Sequence, residues 1–134
     1  MKELLDAIKS KFTSSLLGTI TGGLHLMRSS TSAVPYAVYD VIASPSEQVY
    51  SGEGPCSIWI DFTVWHTNAA AGLVLAESLR TAYTTTLTLA GSKKNHYTRP
   101  LGQPIPSPES GAKGEDPDGD WTYGWIVRFE FAIS

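Results

Sequence analysis

The 134-residue chain has one cysteine, three histidines and little charge, with ten basic and thirteen acidic side chains making up 17% of it. A lone Cys56 excludes an internal disulfide framework and any cysteine-rich zinc site. The basic residues form no continuous stripe and the net charge is −3. This argues against dedicated nucleic-acid binding, where contacts to phosphate supply most of the affinity. No apolar run approaches the roughly 20 residues that a membrane-spanning helix needs. The opening residues Met1, Lys2, Glu3, Leu4, Leu5 and Asp6 place acids where a signal peptide would carry cations followed by a long apolar stretch. The expectation is a protein of a reducing cytoplasm, or of something assembled there, with no membrane partner. An apolar fraction of 42% suffices for a real core, and the length suits one domain spanning 1–134.

Hydrophobic periodicity divides the chain. Leu4, Leu5, Ile8, Phe12 and Leu16 recur at helical spacing from Lys2 to about Leu16, ending near Gly18. A short strand is expected from about Leu24 to Arg28, and a stronger one from Tyr36 to Ser44, opened by Pro35 and stopped by Pro45. Ile58, Ile60, Phe62 and Val64 alternate with Trp59, Asp61, Thr63 and Trp65, the pattern of a half-buried strand. Thr67 or Asn68 can cap a second helix running from Ala69 to about Tyr83. In the last strand Trp121, Tyr123, Trp125, Val127, Phe129, Phe131 and Ile133 share one face, with Thr122, Gly124, Arg128 and Glu130 on the other.

Between Gly91 and Asp120 the composition changes. Five of the eight prolines and five of the twelve glycines fall there, which predicts a long Pro/Gly-rich loop or arm before the last strand. Its 99–108 part has the look of an extended segment. The expected fold class is α+β: a two-layer sandwich in which a mostly antiparallel sheet of about four to five strands packs against two helices. Short connections between the early strands favour antiparallel neighbours.

Catalytic patterns are thin. His25, His66 and His96 have no spacing that would set two ligands on one face. Cys56 lacks a patterned base, no serine sits in a Gly-x-Ser-x-Gly elbow, and Gly22-Gly23 has no following Lys-Ser/Thr. Asp116, Asp118 and Asp120 have the spacing of the start of a calcium loop. The sixth position is Trp121 and the twelfth Val127, which excludes an EF-hand. The expectation is no enzyme, no metal and no cofactor.

Surface chemistry of the kind partners use is richer. Trp59 and Trp65 lie opposite the aliphatic face of their strand, and tryptophan is enriched at interface hot spots. The loop is charge-segregated, with Lys93, Lys94 and Arg99 in its first part and Glu109, Glu115, Asp116, Asp118 and Asp120 in its second. Opposite limbs can attract within one chain or between neighbouring copies. Trp59, Trp65, Lys93, Lys94, Arg99, Glu115, Asp116, Asp118 and Asp120 are therefore the candidate interface residues.

Three stretches carry a family resemblance. The first is the opening helix followed by Val34-Pro35-Tyr36-Ala37-Val38-Tyr39 and a strand to Ser44. The second is Ile58-Trp59-Ile60-Asp61-Phe62-Thr63-Val64-Trp65 running into Thr67-Asn68-Ala69-Ala70 and the helix to Tyr83. The third is Asp118-Gly119-Asp120 leading into the strand that ends Arg128-Phe129-Glu130-Phe131. In order, length and pattern the chain resembles the small tail-completion proteins of long-tailed bacteriophages, also called tail terminators or tail-to-head joining proteins. The resemblance implies a sheet packed on two helices and a ring, of six copies, on the end of the finished tail tube. It implies a virion location at the head–tail junction, reached from the host cytoplasm. The implied partners are the chain itself, the tail-tube protein and a head-connector or stopper protein. DNA would traverse the ring lumen without sequence-specific recognition. The family supplies no catalytic residues. Two rivals remain: another head–tail connector or tail-tube protein, and a monomeric ligand- or peptide-binding module using the Trp59/Trp65 face.

Overall fold

Leu4, Ile8, Phe12 and Leu16 recur every fourth residue, a spacing that brings them to one side of a helix. Helix α1 (Lys2–Ser15) and the turn after it bury all four, to 3% exposure or less. The Phe12 carbonyl accepts from both Leu16 N and Leu17 N, closing the helix before Ile20 plugs the core. The computed structural model describes residues 2–27, 34–43, 56–108 and 122–134.

Strands β1 (Leu24–Leu26) and β2 (Tyr36–Ala43) follow, then β3 (Cys56–His66), helix α2 (Ala69–Ala82), β4 (Asn95–Pro100), β5 (Ile105–Pro106) and β6 (Tyr123–Ile133). The sheet order is β1-β2-β3-β6-β4, with β5 beside β4 on the same edge of β6. All pairings are antiparallel except β1 with β2. The fold is α+β, a six-stranded, mostly antiparallel open sheet packed against two helices.

Two expectations are corrected. The first pair of strands is parallel because Gly22 N bonds the Pro35 carbonyl and Ala37 N bonds the Gly23 carbonyl, so both strands start from the same end. Gly23, at φ 89°, supplies the left-handed turn that this needs. The second concerns the loop expected over 91–120, whose first half forms β4 and β5 along β6. Their prolines, Pro100 and Pro106, are tolerated because both strands lie at a sheet edge, where a missing N–H interrupts no ladder. Residues 109–121 lie outside the described residues.

Helix α2 starts where Asn68, in extended conformation, accepts a bond from Ala71 N at 2.9 Å through Oδ1. Such a cap satisfies one of the orphan amides of the first turn. Close approach of α2 to the sheet requires Gly72, where a Cβ would meet His66 Cβ and Trp125 Cδ1 at 3.2 Å. The Trp125 indole donates to the Ala69 carbonyl at 2.9 Å, tying β6 to the helix start. Beneath α1 and α2 lies an aromatic core: Phe62 stacks on Tyr83 at 4.8 Å and meets Phe129 edge-on at 5.8 Å. The Tyr83 hydroxyl donates to the Ile8 carbonyl at 2.6 Å, linking the two helices. Burial pushes its ionisation far above the usual phenol range.

Candidate functional site

Alternation in a strand sends successive side chains to opposite faces. Ala37, Tyr39, Ile60, Phe62, Val64, Val127, Phe129 and Phe131 face the helices. The other face carries no helix among the described residues, and register decides what it displays. Across β2, β3 and β6, one row is Tyr36, Trp65 and Gly124, and the next is Val38, Thr63 and Ile126. Below them come Asp40, Asp61 and Arg128, and then Trp59 beside Glu130. Arg99 and Tyr97 of β4 extend the lower rows. Ile105 of β5, more than half exposed, lies beside Ile126.

The upper rows are apolar and closed within the chain. Trp65 is buried among Tyr36, Val38 and Val34. Its ring lies over Gly124, where an added Cβ would come within 2.9 Å of Cζ3. Glycine leaves space in a strand, and the cross-strand indole fills it.

In the lower rows Glu130 is the hub. It is 6% exposed, yet Arg99 Nε reaches Oε1 at 2.6 Å. The Trp59 indole donates to Oε2 at 3.3 Å, the Tyr97 hydroxyl donates to Oε1 at 3.3 Å, and Ser57 adds a further bond. Desolvation alone would push this carboxyl up. The Trp59 and Ser57 bonds, with the Arg99 charge and bond, outweigh it and hold the carboxyl below the usual glutamate range. A buried carboxylate with this many donors is a satisfied network that fixes orientation; it does not present an open acid. Beside it, Arg128 clamps Asp61 two-pronged, Nε to Oδ1 at 2.7 Å and an Nη to Oδ2 at 3.0 Å. Asp40 stands directly across from Asp61 and has no cation partner among the described residues. Desolvation, then the Asp61 charge, push its carboxyl up.

The structure thus gathers three of the candidate residues, Trp59, Trp65 and Arg99, onto one face. Trp59 is half-buried and anchored on Glu130, whereas Trp65 spends its surface inside the chain. Arg99 pairs with Glu130 of the neighbouring strand and not, as the loop reading had it, with an opposite limb. Lys93 and Lys94 are exposed just before β4, where the Lys94 backbone pairs with Ser134. Glu115, Asp116, Asp118 and Asp120 lie outside the described residues. Sequence reasoning missed Glu130, Asp61, Arg128 and Tyr97 as a set. Their strands and faces are readable from alternation, but only the β3–β6 and β4–β6 register puts them in contact.

Other chemistry is local. His25 Nε2 meets the Gly22 carbonyl at 2.9 Å, His66 Nδ1 accepts from Asn68 N at 2.9 Å, and His96 Nε2 meets Ser134 Oγ at 2.6 Å. Among the described residues no three His, Cys, Asp or Glu side chains gather into a metal-binding group. No helix there is long and apolar enough to cross a membrane. A groove of about 520 Å³ runs between the end of α1 and α2, lined in part by Leu16, Thr19, Val74 and Ser78. Its Thr19, Ser78 and Thr81 hydroxyls bond carbonyls of their own turns. That leaves it short of the convergent polar groups that fix a small ligand.

No family model matches the chain, and no curated protein matches it. Solved structures do. A chain from the virion of a native gene transfer agent particle superposes with a TM-score of 0.67 at 13% identity, over 98% of this chain and 95% of that one. A second solved chain, also 13% identical, gives a TM-score of 0.50 over 95% and 94% of the two lengths. At such identity the likeness establishes a shared fold.

Proposed function

We propose that this protein is a structural component of a phage-like virion, and that it caps the end of a tail tube as an oligomeric ring. In this reading the ring stops addition of tube subunits and offers a docking surface for the head connector. The observation that carries it is the end-to-end fold likeness to a chain of a gene transfer agent virion. The particular place at the tail end comes from the resemblance in element order and pattern to tail-completion proteins.

The chain's own chemistry agrees with a mechanical role. No buried side-chain polar atom among the described residues lacks a hydrogen-bond partner, and on the helix-free face Arg128 pairs with Asp61 and Arg99 with Glu130 across strands, leaving Asp40 unpaired. Such a face resists deformation and presents a fixed pattern to a partner, as an assembly surface must. The sheet is also open, with different strands at its two edges, so one copy can meet the next through unlike surfaces. Unlike contacts close into rings when the rotation allows and otherwise run on as filaments.

The deciding experiment is absolute mass by light scattering over a wide concentration range, with negative-stain images of the same samples. Closed rings near six copies are expected. Open filaments would refute capping and favour a tail-tube subunit. A strict monomer throughout would refute the ring and favour the binding-module reading.

A further inference from the structure

The two edges of the sheet differ in chemistry. On the β1–β2 side, β2 outlasts its neighbour: the last registered pair is Leu26 with Tyr39, and β2 continues to Ala43. From Asp40 onward it has no strand on its outer side among the described residues. An uncovered strand end is a template for pairing unless something covers it. Here its apolar side chains are exposed. Leu26, Met27, Val41 and Ile42 are between 39% and 71% exposed. They are near one another, since Met27 N bonds the Tyr39 carbonyl and a strand rises only about 3.3 Å per residue. Met27, the most exposed, has φ 67°. That conformation is strained for a side chain other than glycine, asparagine or aspartate, and such strain tends to mark functional positions. Asp40 adds a carboxylate to this apolar corner.

The opposite edge belongs to β4 and is basic and aromatic. Lys93 and Lys94 are exposed at its start, and Tyr97 is 43% exposed on the helix-free face. Neither lysine has an ion pair among the described residues.

We propose that the corner of Leu26, Met27, Asp40, Val41 and Ile42 docks on the Lys93, Lys94 and Tyr97 edge of a second copy, head to tail around the ring. This rests on the ring reading above and assigns its contact. Charge selects the occupant: corner against corner would bring Asp40 toward Asp40, whereas corner against β4 edge sets a carboxylate among ammonium groups. Topology agrees, because the surfaces lie at opposite ends of one strand order. Each copy therefore offers both halves of the contact and leaves both free to continue.

The test measures the concentration at which rings form, by light scattering, for the wild type and four variants. Lys93→Glu with Lys94→Glu should raise that concentration about ten-fold or more, and Ile42→Asp should do the same. Combining Asp40→Lys with Lys93→Glu and Lys94→Glu should recover much of the loss. Lys9→Glu, a reversal on α1, should change nothing. Circular dichroism and melting identical to wild type establish that the exposed substitutions leave the fold intact. Unchanged assembly in the reversals, or no rescue by the swap, overturns this contact and leaves the ring reading standing. A wild type that never forms rings overturns both.

Discussion

Adding one methyl group to the helix-free face tests whether Trp65 is locked in place. In Gly124→Ala the new Cβ would stand 2.9 Å from Trp65 Cζ3, 3.0 Å from Cη2 and 3.1 Å from Ser107 Cβ. Carbon atoms prefer about 3.5–4.0 Å, so the neighbours must retreat by roughly 0.5–1 Å. Neither retreats freely. The indole is packed among Tyr36, Val38 and Val34, and Ser107 is held by its N–H bond to the Gly124 carbonyl at 2.8 Å. Overpacking of this kind costs about 1–3 kcal/mol. Restricting the unfolded chain at a former glycine offsets about 0.4–1 kcal/mol of that. The expected net destabilisation is about 0.5–2 kcal/mol, a fall in Tm of about 2–7 °C for a domain of this length. Calorimetry or urea unfolding followed by circular dichroism reads it directly. Gly18→Ala is the internal control. Nothing lies within 4 Å of a Cβ there, so the unfolded-state effect acts alone and stability should rise by about 0.4–1 kcal/mol. In a Trp65→Leu background the penalty of Gly124→Ala should shrink, giving a coupling energy of the sign that relieves crowding. A Gly124→Ala protein as stable as Gly18→Ala would refute the account of a ring seated on the glycine.

Three further outcomes are expected. Glu130 is held below its usual range, so the stability it contributes is complete above the ordinary glutamate pKa and is lost as pH falls through the lower folded value. Glu130→Gln should remove that acid-limb slope and lower stability near neutrality by about 1–3 kcal/mol, seen in urea titrations at stepped pH; an unaltered slope would sink the idea. Asn68→Ala strips the cap from α2 and should cost about 1 kcal/mol, with faster amide exchange confined to the first turn of that helix. Tyr83→Phe deletes the hydroxyl that reaches the Ile8 carbonyl in the core, and equilibrium unfolding should register a loss of about 1–1.5 kcal/mol with no change in mass by light scattering.

Much of the fold was legible because the strongest signals are local. Leu4, Ile8 and Phe12 announce α1 by spacing alone, Asn68 announces the start of α2, and alternation from Ile58 to Val64 and from Val127 to Ile133 names the buried face of both long strands. The parallel pairing of β1 with β2 was not legible, because it hangs on two backbone bonds between Gly22–Gly23 and Pro35–Ala37 that side-chain pattern does not encode. β4 and β5 were legible only in part: residues 99–108 read as extended, but prolines and glycines weakened the strand signal and hid the start of β4 at Asn95, and the pairing itself comes from the free edge of β6.

The candidate face fails to announce itself for the same reason. Trp59 and Trp65 look alike in sequence, as outward aromatics three periods of alternation apart. Register separates them: Trp65 falls opposite a glycine and sinks onto it, while Trp59 falls opposite Glu130 and becomes one of its donors. Arg99 looked like one limb of a charged arm, yet pairing of β4 with β6 places it on the same carboxylate. Which charges remain for a partner is therefore a property of strand pairing and not of composition. Once Asp61, Arg128, Arg99 and Glu130 have satisfied one another, Asp40 toward one edge of the sheet and Lys93 and Lys94 at the other stand without an ion pair among the described residues. That pattern, central charges consumed and opposite signs left toward the two edges, is what the proposed head-to-tail contact draws on.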